Sequence, residues 1–155
     1  MECEDGMIEN KEQFGIPGLE VKGITVHNTN NALSALENYA WVEQTKTSQG
    51  CHYFVDEYNV VQVMPLDWCV YHTGMGIDWA CKHTIAIEIC RSQSSEELYL
   101  KAEKKAVGLI KSLMEQYNLT DKDIYFHQDF RQQTYCPHRI LDKYGSKKKW
   151  KERYF

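Results

Sequence analysis

Residues 83–90 read His-Thr-Ile-Ala-Ile-Glu-Ile-Cys, and this run decides the fold class. In an extended chain Ile85, Ile87 and Ile89 share one face, leaving Ala86, Glu88 and Cys90 on the other. So apolar a run reads as a buried strand. Its neighbours along the chain fit around it. Lys22–Asn28 (KGITVHN) has the alternating β-branched pattern of a second strand. Asn30 or Asn31 is expected to cap a helix carrying Leu33, Leu36 and Ala40 on one face. Cys51–Asp56 and Asn59–Met64, joined through Glu57-Tyr58, read as a hairpin. Ser94-Ser-Glu-Glu97 fits a capping box, and Ala106, Leu109, Ile110, Leu113, Met114 and Tyr117 continue that helix at 3.6 spacing. Ile124–Phe126 is a short strand, and Pro137 is expected as the first residue of the helix PHRILDKY. Strands and helices interleave, so the predicted class is α/β, a central mixed β-sheet flanked by helices.

The chain has 155 residues, the length of one domain with a real core. Residues 1–20, ending near Pro17-Gly18, are expected to form an N-terminal arm, and residues 144–155 a basic C-terminal helix. Hydrophobic residues at 43% and aromatics at 12% exclude a disordered chain. Mean hydropathy is −0.57, and no apolar run approaches the ~20 residues a membrane span requires. The start, MECEDGMIENKEQ, is acidic where a secretory signal is basic and then apolar. Net charge −4 argues against nucleic acid as a partner, and a monomer is expected. Residues 143–155 carry six basic side chains and one acidic one. The stretch reads as a solvated amphipathic helix with Trp150 and Tyr154 packed inward; contact with an anionic polymer is the alternative. Six cysteines form no CxxC pair and are expected to be mostly reduced and buried.

Ligands of open α/β sheets sit beyond the carboxyl ends of strands. His27 closes GITVH, His127 closes IYFH, and Cys136 comes just before the PHRILDKY helix. Two imidazoles and a thiolate would make a three-ligand zinc set with an open fourth position, and a helix start would favour the thiolate. Each residue alone has an ordinary reading too: a hydrogen-bonded histidine at a strand end, a small buried thiol. Glu88 is costly in so apolar a strand unless paired or functional. Burial would raise its pKa toward neutrality, which suits a general base; the alternative is a structural partner for a nearby cation.

Taken in order, ITVHNT, CHYFVD, VYHTG, TIAIEIC and YFHQDF…TYCPHRIL resemble the zinc-dependent N-acetylmuramoyl-L-alanine amidases over roughly residues 20 to 143. That family includes phage endolysins and shares its fold with the peptidoglycan recognition proteins. The resemblance implies that His27, His127 and Cys136 hold Zn2+ and that Glu88 is catalytic. It implies peptidoglycan as substrate, with hydrolysis of the amide between N-acetylmuramic acid and L-alanine. Many bacterial members have a lysine two residues before the cysteine; here it is Thr134, as in catalytic recognition proteins, and it is expected to hydrogen-bond the oxyanion. Some phage members place a tyrosine where this chain has Cys51, which leaves the role to Glu88. His72 matches a histidine near the substrate groove, and Tyr53 is a candidate stacking residue, so both are expected to bind substrate. A chain without a visible signal fits synthesis in the bacterial cytoplasm and release onto the wall at lysis. The rival reading is a non-catalytic peptidoglycan-binding module of the same fold; such modules typically lose the cysteine.

Overall fold

The computed structural model describes residues 3–155. In chain order the elements are β1 (Glu4–Asp5), β2 (Gly15–Pro17), β3 (Gly23–Asn28), α1 (Ala35–Gln44), β4 (Tyr53–Val55), β5 (Val60–Gln62), β6 (Trp68–Val70), α2 (Trp79–His83), β7 (Thr84–Ile89), α3 (Glu96–Tyr117), β8 (Ile124–Phe126), α4 (His127–Phe130), α5 (His138–Tyr144) and α6 (Lys147–Tyr154). Six strands form one mixed sheet in the order β1-β5-β4-β7-β3-β8. Only the β4–β5 hairpin is antiparallel; every other pairing in it is parallel. The α/β expectation therefore holds, and no helix among the described residues is long and apolar enough to cross a membrane.

β7 and its neighbour β3 are buried along nearly their whole length because both faces of the sheet are covered there. Ile24 and Val26 of β3 join Ile85, Ile87 and Ile89 of β7 in one core layer, closed by Ala102, Ala106 and Ile110 of α3. On the other face Ala86, Cys90, Phe54 and Val61 pack with Ala35 and Val42 of α1. The parity read from residues 83–90 is thus the parity that separates the two layers.

Element boundaries moved where local hydrogen bonds outweighed pattern. α1 starts later than expected: Ser34 is the N-cap, with a reciprocal Ser34–Glu37 capping box. Asn31 instead accepts from Leu33 N–H in the turn before it, at 3.0 Å. α3 is capped by Ser95 rather than Ser94, and Pro137 is the N-cap of α5, one residue outside the helix. The first two residues of the expected arm lie outside those described. From residue 3 the arm becomes structure: β1 extends the main sheet beside β5, and β2 pairs antiparallel with β6.

At the other end Trp150 is fully buried in the α3-side core. The cations of this end are largely partnered within the chain: Lys143 by Glu96, Lys147 by Asp129, Lys148 by Glu152 and Lys151 by the Asp121 carbonyl. The packed-helix reading is the one observed. Cys51, Cys69, Cys81 and Cys90 are buried thiols without disulfides.

Candidate functional site

β3 lies between β7 and β8, all three parallel, so their carboxyl ends open at one edge of the sheet. His27 is the penultimate residue of β3 and sits in register with Glu88. Ile24 and Val26 take the α3-side layer, so alternation turns His27 to the other face. His127 follows β8 directly. Cys136 returns to the same edge because Asn28, next to His27, holds the start of α5: its Oδ1 accepts from Arg139 N–H (3.0 Å) and Ile140 N–H (3.3 Å). Arg139 adds bonds to the Ser92 and Ser94 carbonyls and to Glu96. One nitrogen each from His27 and His127 and the Cys136 sulfur lie within 4.8 Å of one another, with His27 Nδ1 to Cys136 Sγ at 3.7 Å.

The histidine tautomers follow from acceptors that cannot donate. His72 Nε2 faces the Ala80 carbonyl at 3.3 Å, so Nε2 carries the proton and Nδ1 accepts. His27 Nε2, 3.0 Å from that Nδ1, must then donate, which leaves the His27 Nδ1 lone pair toward Cys136. His127 Nε2 donates to the Thr73 carbonyl at 2.9 Å, which leaves its Nδ1 as the lone-pair nitrogen. Burial, reinforced by the neighbouring His72 and His127 rings, holds His27 well below the usual histidine pKa, and burial also lowers His127. Two neutral imidazoles with fixed lone pairs beside one sulfur are a donor set suited to a borderline-soft cation such as zinc. Without a cation, burial and then the Glu88 charge push the Cys136 thiol up to about 12, despite an Asn28 N–H on the sulfur. The expected help from the helix start is outweighed by desolvation, so thiolate formation here belongs with metal binding.

Glu88 Oε1 stands 3.9 Å from His27 Nδ1. Its Oε2 is buried and has no hydrogen-bond partner among the described residues. The side chain is 21% exposed, and desolvation pushes its pKa up to about 8. The structural alternative, a paired carboxylate, is not what is observed: no lysine or arginine contacts it among the described residues. From this cluster a cleft of about 660 Å³ runs along α1 to Trp41, passing Asn30, Asn31 and Gln49. Trp41 is 56% exposed. Its lining carries no lysine or arginine.

The structure brings His27, His127, Cys136 and Glu88 together. Tyr53 is a correction. It points into the α3-side core with its hydroxyl on Gln62 (3.4 Å), and β4 gives the cleft Phe54 instead, because Phe54 is the residue in register with Glu88. Thr134 is half-buried in a turn closed by its N–H on the Arg131 carbonyl (3.0 Å) and is not among the residues lining the cleft. His72 lies at the cleft floor with both ring nitrogens engaged. Sequence reading missed Asn28 as the brace of Cys136; its position beside His27, as a polar residue in a buried strand, was the available signal. Trp41 was also missed, and its position on a helix gave no sign of a cleft.

These features define a cleft at the carboxyl edge of a mixed α/β sheet, with a His-His-Cys cluster that could hold a metal ion. The sequence profile of the family described as N-acetylmuramoyl-L-alanine amidase matches residues 17–139, and the chain belongs to that family. N-acetylmuramoyl-L-alanine amidase CwlA from a Bacillus species is 37% identical over 121 residues, 77% of this chain and 48% of CwlA. The chain thus spans about half the length of that relative. The structure of PlyL superposes with a TM-score of 0.87 at 29% identity, covering 92% of this chain and 91% of PlyL. The solution structure of the PlyG catalytic domain gives a TM-score of 0.87 at 28% identity, covering 99% and 95%.

Proposed function

We propose that this chain hydrolyses the amide joining the lactyl group of N-acetylmuramic acid to L-alanine in peptidoglycan, and so acts on the bacterial cell wall. One observation carries the reading: two fixed imidazole lone pairs and a sulfur converge beside a desolvated carboxylate at the floor of a cleft whose lining has no lysine or arginine. His27 Nδ1, His127 Nδ1 and Cys136 Sγ would hold Zn2+, which supplies Lewis acidity to the scissile carbonyl and acidifies water. Glu88 Oε2, free of partners, accepts the proton of the attacking water and returns it to the amine of L-alanine as the C–N bond breaks. Desolvation raises the proton affinity of this carboxyl above that of an ordinary glutamate, as a general base requires. Thr134, two residues before Cys136, would offer its hydroxyl to the oxyanion. A binding module without catalysis has no use for an unpaired, desolvated carboxylate, and this argues against that reading.

The test is mass spectrometry of purified peptidoglycan after incubation with the zinc-loaded protein, beside Glu88→Gln. Stem peptides beginning with L-alanine are expected from the unmutated protein, with release slowed roughly 10²–10⁴-fold in the variant, the scale of general acid–base catalysis. Intact muropeptides from several wall types, with zinc bound, would sink the proposal.

A further inference from the structure

β6 runs out into His72 and Thr73, and these two consecutive residues hold both histidines of the cluster. His72 Nδ1 accepts from His27 Nε2–H at 3.0 Å. The Thr73 carbonyl accepts from His127 Nε2–H at 2.9 Å. Neither partner is free to swing. His72 is 4% exposed, and its Nε2–H faces the Ala80 carbonyl at 3.3 Å with Thr84 Oγ1 at 3.2 Å. Ala80 belongs to α2, whose start is capped by Asp78: Oδ1 accepts from Cys81 N–H (2.8 Å) and Oδ2 from the Thr73 hydroxyl (2.7 Å). The segment from 72 to 84 therefore closes on itself. It is tied to the ligand strand by the Thr84–Thr25 hydroxyl pair at 2.7 Å.

We propose that His72 is a positioning residue for the metal centre: it fixes the tautomer and ring orientation of His27 and thereby sets metal affinity, rather than contacting substrate. The inference rests on the zinc reading above. A ligand histidine that donates its second N–H to a fixed acceptor is more basic at the other nitrogen and cannot turn its ring. Without an acceptor at residue 72, the buried His27 Nε2–H has no partner. The other tautomer would then point an N–H toward Cys136, into the place of the ion. Thr73 does for His127 through its backbone what His72 does for His27 through its ring, so one short segment orients two ligands from separate elements, β3 and the start of α4.

The experiment measures zinc affinity of the loaded protein by chelator competition in three proteins: unmutated, His72→Asn and His72→Leu. Asparagine keeps an acceptor where His72 Nδ1 stands; leucine removes it. His72→Leu is expected to weaken zinc roughly 10- to 100-fold, the usual effect of losing an outer partner of a ligand, and asparagine to restore most of the affinity. With saturating zinc, KM for peptidoglycan fragments should stay near that of the unmutated protein while kcat falls in His72→Leu. If His72→Leu fails to fold, His72→Gln takes its place, since its polar end falls at Nε2. The cobalt(II) absorption spectrum should then change in His72→Gln and be kept in His72→Asn. Unchanged affinity in His72→Leu, equal loss in the asparagine and leucine variants, or a rise in KM alone would each overturn the role. Failure of the unmutated protein to bind one zinc would instead overturn the metal reading on which it rests.

Discussion

Acidification should destabilise this fold through His52, and the size of the effect follows from its surroundings. His52 is fully buried. Its Nδ1 accepts the Ala86 N–H of β7 at 2.9 Å, and its Nε2 donates to the Trp68 carbonyl of β6 at 2.8 Å. Both nitrogens are satisfied only in the neutral ring; a second proton would face the Ala86 N–H head on. Burial, against a smaller raising effect of the Trp68 carbonyl, brings its pKa down to about 4 from 6.5. Between those values the unfolded chain binds one more proton than the folded one, so stability rises with pH by about 1.4 kcal/mol per unit. Stability is whole above pH 6.5 and is lost as pH falls toward 4, a total of about 3 kcal/mol from this residue. His52→Asn keeps an acceptor for Ala86 but leaves the Trp68 carbonyl unpaired, which costs about 1–3 kcal/mol at neutral pH. Urea unfolding of both proteins at pH 7.5 and pH 4 isolates the ring, because the other histidines cancel in the comparison. The neutral-pH deficit of the variant should close or reverse at pH 4. A gap of constant size across that range would refute the reasoning.

Cys136→Ala should remove stoichiometric metal and activity together, read by metal analysis and peptide release, since two imidazoles alone leave the three-ligand set incomplete. Thr134→Val should slow peptide release about tenfold if its hydroxyl gives one hydrogen bond to the transition state, with zinc content unchanged; equal rates would remove Thr134 from the mechanism. Trp150→Ala should cost about 3–5 kcal/mol in chemical denaturation, as for other large buried aromatics. No residue of α6 lines the cleft, although Trp150 packs on Phe126 beside His127, so zinc stoichiometry of the folded fraction should be unaffected.

The central strands were legible because their pattern is local. Ile85, Ile87 and Ile89 identify a buried strand wherever its partners lie, and strand-end histidines fall at a common edge once the sheet is parallel. The side chosen by Tyr53 was not legible. Alternation says that Tyr53 and Phe54 oppose each other, but only the pairing of Phe54 with Glu88, 34 residues on, tells which faces the cleft. β2 and β6 went unread for a related reason: three-residue strands carry no period, and their pairing spans the chain from Gly15 to Val70. The start of α1 was in plain view as Ser34-Ala-Leu-Glu37, and Asn31 drew attention away from it by a turn bond of its own. The hydrogen bonds of His72 left no local trace at all, since its partners come from β3, α2 and β7.

Asn28 has a consequence beyond holding the start of α5. Its hydrogen bonds join residues 111 and 112 positions apart in the chain, so the long loop between His27 and Cys136 is closed by the protein itself. An ion arriving at this edge finds its ligands assembled and has little chain left to order. Such a centre can lose and regain its metal while the fold stays intact, in contrast to small domains whose folding waits on the ion. Exchange would then be governed by the local supply of the ion rather than by refolding.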